Sequence, residues 1–167
     1  MGTRWLDQEE MAAWLRLVAI TELLPGVLDA QLRRDADLSH FEYFVLAMLS
    51  EAPERTLRMS ALAQRTNATL ARLSHVVRRL EERHLVERFP CPEDARATNA
   101  RLTGSGWETV VAAAPDHVGH VRDKVLDALA PDQVRQLADI GDAVLARLDP
   151  EGRMTALYRP GQPDSGR

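Results

Sequence analysis

A single cysteine, Cys91, stands in the stretch VERFPCPEDARATNARLT (86–103), among arginines and acids. A thiol reacts as its thiolate, which nearby cations favour; Arg88 would activate it, while Glu93 and Asp94 would oppose that. A redox switch and a small turn residue are the two readings of this position. His117 and His120 lie three residues apart with Asp116 and Asp123 close by. Zinc accepts such spacing on one helix face, but a site needs three or four converging ligands. His84 and Cys91, at either end of the segment 84–91, add no further ligand. Ser105, in GSG, lacks the rest of a nucleophile elbow. No paired carboxylates, phosphate loop or dinucleotide fingerprint occurs. No catalytic, cofactor or metal site is therefore expected, and the chain does not read as an enzyme.

What remains is the chemistry of cations. The net charge is -4, but it is unevenly spread. Residues 1–54 carry 4 basic and 10 acidic side chains, residues 55–103 carry 10 and 5, and residues 104–167 carry 7 and 10. A central basic block flanked by acidic arms attracts phosphate backbones locally, whatever the total charge. A solvated charged surface is the plainer reading of the same block.

These cations need elements to position them. The stretch LARLSHVVRRLEER (70–83) reads as a helix whose Leu70, Leu73, Val76, Val77 and Leu80 share one side. Ala71, Arg72, His75, Arg78, Arg79 and Glu82 then face the other way. Ala71 and Ser74 are small enough to let this backbone approach a groove closely. A short helix, ALAQR, capped by Ser60, and a turn, TNAT, precede it. Together they form a helix-turn-helix pattern. A plain helical hairpin fits the pattern alone equally well. The segment that follows decides between them: LVERF is β-like, ARLT can pair with it, and PCPEDARATN is the loop between. A hairpin after a helix-turn-helix makes a wing, and Arg96, the loop's one basic residue, suits the narrow minor groove beside it.

The flanks read as helices. Asp7 and Glu10 form a capping box ahead of a stripe of Met11, Trp14, Leu15 and Val18. Pro25-Gly26 predicts a kink there, or two pieces. Ser39 caps a helix over SHFEYFVLAMLSE, whose aromatic and Met stripe reads as core. Thr103 caps the next helix, which Pro115 interrupts, and Pro131 opens the last. Residues 150–167 read as a flexible tail.

In this order the segments resemble the MarR family of transcriptional regulators. The wing signature is Asp94, Arg96, Leu102 and Thr103, and LRMSALAQRTNATLARLSHVVRRLEERHLVER is similar to the family's helix-turn-helix. FEYFVLAMLSEAP resembles its second helix, and the similarity spans about residues 5–149. The resemblance implies a mostly α fold with a small β-hairpin wing. A winged helix-turn-helix over 38–103 would bind DNA, and helices over 5–35 and 104–149 would interlock in a homodimer. It further implies a sequence-specific regulator, a repressor of palindromic operators released by a small molecule. By the family's motif Thr69, Ala71, Arg72, Ser74, His75 and Arg78 face DNA, Arg96 enters the minor groove, and Asp94 holds the wing. Trp14, His40, Phe44 and Met48 are candidates to line an effector pocket. This chain departs from the pattern at Ala95, where many members carry a basic residue, and at Pro25-Gly26.

The remaining bounds agree with that class. A chain of 167 residues suits one core with extra helices. One cysteine suits a reducing cytosol. The start, MGTRWLDQEE, is no signal peptide, and no unbroken run of about 18 apolar residues predicts a membrane span. Cytoplasmic location, double-stranded DNA and a second copy of the chain are the expectations. The competing class is a helical homodimeric interaction protein without DNA affinity, and redox- or metal-responsive variants of the regulator stand beside it.

Overall fold

The computed structural model describes residues 2–154. Helix α1 spans Gln8–Ala36, α2 His40–Ser50, α3 Met59–Arg65, α4 Leu70–Glu82, α5 Gly104–Lys124 and α6 Pro131–Leu148. Strands β1 (Thr56–Arg58), β2 (Val86–Cys91) and β3 (Asp94–Leu102) form one antiparallel sheet in the order β1-β3-β2. This is the mostly helical fold with a hairpin wing that the sequence predicts.

Side-chain caps set most helix starts, because the first N–H groups of a helix have no partner within it. Asp7 accepts from Glu10 N at 2.8 Å while Glu10 accepts from Asp7 N at 3.0 Å. Ser39 and Glu42 repeat this capping box at α2. Thr103 Oγ1 accepts from Gly106 N and itself donates to His84 O. Ser60 departs from expectation. Helix α3 begins two residues earlier, with Arg58 at its N-cap and no side-chain cap bond, so Ser60 lies inside the first turn.

Neither proline divides its helix. Helix α1 runs unbroken through Pro25, and α5 through Pro115. Each ring deprives one carbonyl of its donor four residues back, at Thr21 and Val111. Both residues are exposed, so water can reach those carbonyls.

The core lies between α2, α3, α4 and the sheet. Leu46, Leu49, Leu62, Leu73, Val77 and Leu80 are all fully buried there. Leu70, the first residue of α4, departs from the predicted buried face and is 53% exposed. Helix α5 leaves the sheet at Gly106. A Cβ there would lie 2.1 Å from Leu85 O, so only glycine lets α5 start so close to the base of the wing.

The flanking helices hold little of this core. In α1 the buried residues are Leu28, Gln31 and Leu32, near its C-terminal end, and α6 has none. Helix α1 is also long and apolar enough to cross a membrane by length and composition, which counting unbroken apolar runs did not anticipate. The tail is described as far as Met154, where residues 150–154 form turns; residues 155–167 of the predicted flexible tail lie outside the described residues.

Candidate nucleic-acid interface

The turn between α3 and α4 is built by backbone chemistry. Asn67 adopts φ 48°, a left-handed conformation that asparagine tolerates better than most residues. Ala68 N donates to Ala63 O and Asn67 N to Gln64 O, closing α3 with the paired bonds of a Schellman motif. Thr69 then caps α4, its Oγ1 accepting from Arg72 N at 3.2 Å. The far end of α4 closes in the same way. His84 takes φ 59°, Leu85 N donates to Leu80 O and His84 N to Glu81 O.

Helix α4 turns Leu73, Val77 and Leu80 into the core and leaves Thr69, Ala71, Arg72, His75 and Arg78 exposed; Ser74 is half-buried. The DNA-facing set named from the sequence therefore shares one outer surface. Arg79 was placed on that surface too, and it is otherwise engaged. Its guanidinium lies 3.1 Å from Glu42, a carboxylate of α2 that is only 2% exposed. Arg78 contacts His75 Nδ1 at 3.3 Å and approaches Glu82 at 4.0 Å, both on its own helix.

The wing is longer in strand and shorter in loop than predicted. The expected ten-residue loop is instead a two-residue turn, Pro92-Glu93, with Cys91 paired to Asp94. The register slips between Pro90 and Cys91, leaving Ala95, Arg96 and Ala97 without cross-strand partners. Arg96 thus sits on a bulge and is exposed. Asp94 Oδ1 accepts from Arg96 N at 3.1 Å, a local bond that shapes the wing tip. Strand β1 was not predicted; Thr56 to Arg58 pair with Arg101 to Asn99 and give the wing a third strand.

Arg88 joins the wing to α4. Its Nε and Nη2 donate to Glu81 at 3.0 and 2.7 Å, and its backbone N donates to the same carboxylate. The Arg88 guanidinium holds the Glu81 carboxyl below its usual pKa. Between these elements runs an open cleft of about 310 Å³, lined by Leu70 and Ser74 of α4 and by Arg88, Arg96 and Thr98 of the wing.

Of the ten arginines in 55–103, six are ion-paired: Arg58, Arg78, Arg79, Arg83, Arg88 and Arg101. Arg55 lies over the Trp107 ring at 4.0 Å. Of the other three, Arg65 is half-buried, while Arg72 and Arg96 are exposed and, among the described residues, have no carboxylate within ion-pair distance. These are the two residues that the sequence singles out for the groove and the wing.

The other candidates are scattered. Cys91 is 6% exposed, where an oxidant has little access. Ser105 Oγ donates to His84 O and serves the helix start. Among the described residues no three His, Cys, Asp or Glu side chains gather as a metal would need. His40, Phe44 and Met48 share α2 at four-residue intervals, with Met48 in the core, His40 half-buried and Phe44 partly buried. Trp14 lies apart from that core, 52% exposed on α1.

A junction missed by sequence reasoning joins α1, α2 and α5. His117 Nδ1 lies 3.2 Å from Gln31 Oε1, and its ring is 4.6 Å from Tyr43 and 6.3 Å from His40. Burial lowers the pKa of His117, and His40 and His120 lower it further. Burial also lowers that of His40, against the pull of Asp29. Only the His117–His120 pair was visible locally, and the partners that matter are distant in sequence.

The MarR family model matches residues 38–98. Sco3205 from Streptomyces coelicolor, a MarR family transcriptional regulator solved in complex with DNA, is 42% identical with a TM-score of 0.84. The alignment covers 89% of this chain and 92% of that one. AbsC from the same organism is 36% identical with a TM-score of 0.82, over 87% of this chain and 98% of its own. YdcH of Bacillus subtilis (strain 168), an uncharacterized HTH-type transcriptional regulator, is 33% identical over 81 residues, or 47% of this chain. The match spans 55% of that curated relative, about half its length. With Sco3205 and AbsC alike over nearly their whole lengths, this chain belongs to the MarR family of transcriptional regulators.

Proposed function

We propose that this chain is a dimeric, sequence-specific DNA-binding transcriptional regulator that represses from palindromic operators. The observation that carries the reading is the outer face of α4 beside the wing, where Arg72 and Arg96 stand exposed without carboxylate partners. The solved DNA complex of Sco3205 supports it by similarity. The N-terminal part of α4 would lie in the major groove, with Arg72 reaching base edges and Thr69, Ala71, Ser74, His75 and Arg78 around it. Arg96 would reach the adjacent minor groove, and Asp94 would hold the wing for it.

The dimer is supported by a second feature. Helix α1 exposes Trp14, Leu17, Ile20 and Leu23, and α6 exposes Leu137, Ile140 and Val144. A two-fold partner would bury such stripes and set two α4 helices one helical turn of DNA apart. This accounts for an apolar α1 without a membrane, in keeping with a DNA-binding protein of the cytoplasm. Release by a small molecule would act where the dimer helices meet α2, near His40 and Phe44; nothing in the site selects a ligand.

Selection from a pool of random DNA duplexes tests this. The reading predicts enrichment of a two-fold symmetric site whose binding weakens steeply with salt. Retention of no duplex, by a protein that sediments as a dimer, would favour a helical interaction protein instead.

A further inference from the structure

Arg72 is the third residue of α4, and a long exposed arginine ordinarily samples many rotamers. Here its guanidinium carbon lies 4.2 Å from the centroid of the Phe41 ring. Phe41 comes from the first turn of α2 and is partly buried against the core. Its neighbour Glu42 closes the capping box with Ser39 and forms the ion pair with Arg79 of α4. The first turn of α2, which carries the ring, is thereby tied to the helix that carries Arg72. Stacking engages the flat face of the guanidinium, whereas recognition of guanine or phosphate uses donors in its plane. The two interactions do not compete. Among the described residues no protein acceptor takes those in-plane side-chain donors.

We infer that Phe41 is a positioning residue for DNA recognition: its ring holds the Arg72 guanidinium in one plane, with the edge donors free for the duplex. The inference rests on the DNA-binding reading above. It makes α2 part of the reading head, through a residue that need not touch DNA.

The test uses the full chain and the duplex selected by the wild type. Binding is measured for wild type, Phe41→Leu, Phe41→Tyr, Arg72→Ala and the Phe41→Leu/Arg72→Ala pair, against single-base variants of that duplex. Thermal melting of each protein accompanies the series. Two exposed stacking contacts per dimer predict about 5- to 30-fold weaker binding for Phe41→Leu. The loss is expected to concentrate at the base pair where Arg72→Ala relaxes preference. Phe41→Tyr, which keeps a stacking ring, restores affinity and preference, and Phe41→Leu adds nothing once Arg72 is alanine. An equal loss on every duplex, an equal loss in the Arg72→Ala background, or unchanged binding by Phe41→Leu would each overturn the role of Phe41 while leaving DNA binding intact. Failure of the wild type to select any duplex would instead remove both readings together.

Discussion

The central unit and the helices that flank it are both rich in large apolar residues, and they handle them in opposite ways. In α4, Leu73, Val77 and Leu80 are completely buried. In α1 and α6, Ile20, Leu23 and Ile140 are 57%, 69% and 61% exposed. Burying one such side chain contributes roughly 1.5–3 kcal/mol, so a helix that leaves a whole stripe in water lacks the surface that stabilises it. The central unit buries its apolar residues within one chain. The flanking helices leave theirs in water, which is the feature the proposed dimer explains.

The comparison breaks first at the interface. Ile20→Asp with Ile140→Asp places charge in both stripes, and sedimentation is expected to show a monomer. Loss of the linked second half-site should weaken operator binding by about 100-fold or more. A dimer of unchanged affinity would mean that these stripes do not meet a second copy. Alanine truncation separates the regions next. Leu80→Ala should cost about 2–5 kcal/mol at any protein concentration, because its surroundings lie within one chain. The cost of Leu23→Ala should instead change on dilution, as for any contact made only in the assembly. Melting curves over a concentration series measure both.

Within the central unit the charges differ as sharply as the apolar residues. Arg79→Ala strands the buried Glu42 carboxylate and should cost about 2–3 kcal/mol. Arg78→Ala, one residue away on the exposed face, should change stability by no more than about 0.5 kcal/mol. Denaturant titration of the two variants distinguishes them, and equal costs would contradict the division of the α4 arginines into structural and available.

The smallest effect lies where the regions join. Burial lowers the pKa of His40 and His117 below 6.5. In that window the unfolded chain binds more protons than the folded one, so stability is present above pH 6.5 and falls as pH drops below it. His117→Gln should flatten this decline below about pH 6.5, read as a smaller fall in melting temperature.

Most of the fold was legible because its signals are local. Caps at Asp7, Ser39 and Thr103, the turn at TNAT and the hydrophobic period of α4 each occupy a few consecutive residues. What stayed hidden depends on distant partners. Strand β1 is three residues long, too short to show alternation, and forms because β3 offers it an edge. Prolines 25 and 115 read as breaks, yet each strands only a carbonyl that water can reach. In the site, Arg72 and Arg96 were legible from order and motif. That Arg79 belongs to Glu42, and that Phe41 lies under Arg72, follows from the packing of α2 on α4 across more than 30 residues of sequence.

The claim that the face formed by α4 and the wing binds DNA is tested most directly by a salt titration of operator affinity for wild type and Arg96→Ala. Arg96 has no carboxylate partner and sits on the wing bulge, so its charge is available to the duplex. Removing it from both wings of a dimer is expected to weaken binding across most sequences and to flatten the slope of log K against log salt by roughly one to two units. Affinity and slope indistinguishable from wild type would show that the hairpin is only a surface turn, and the wing would then have no part in recognition.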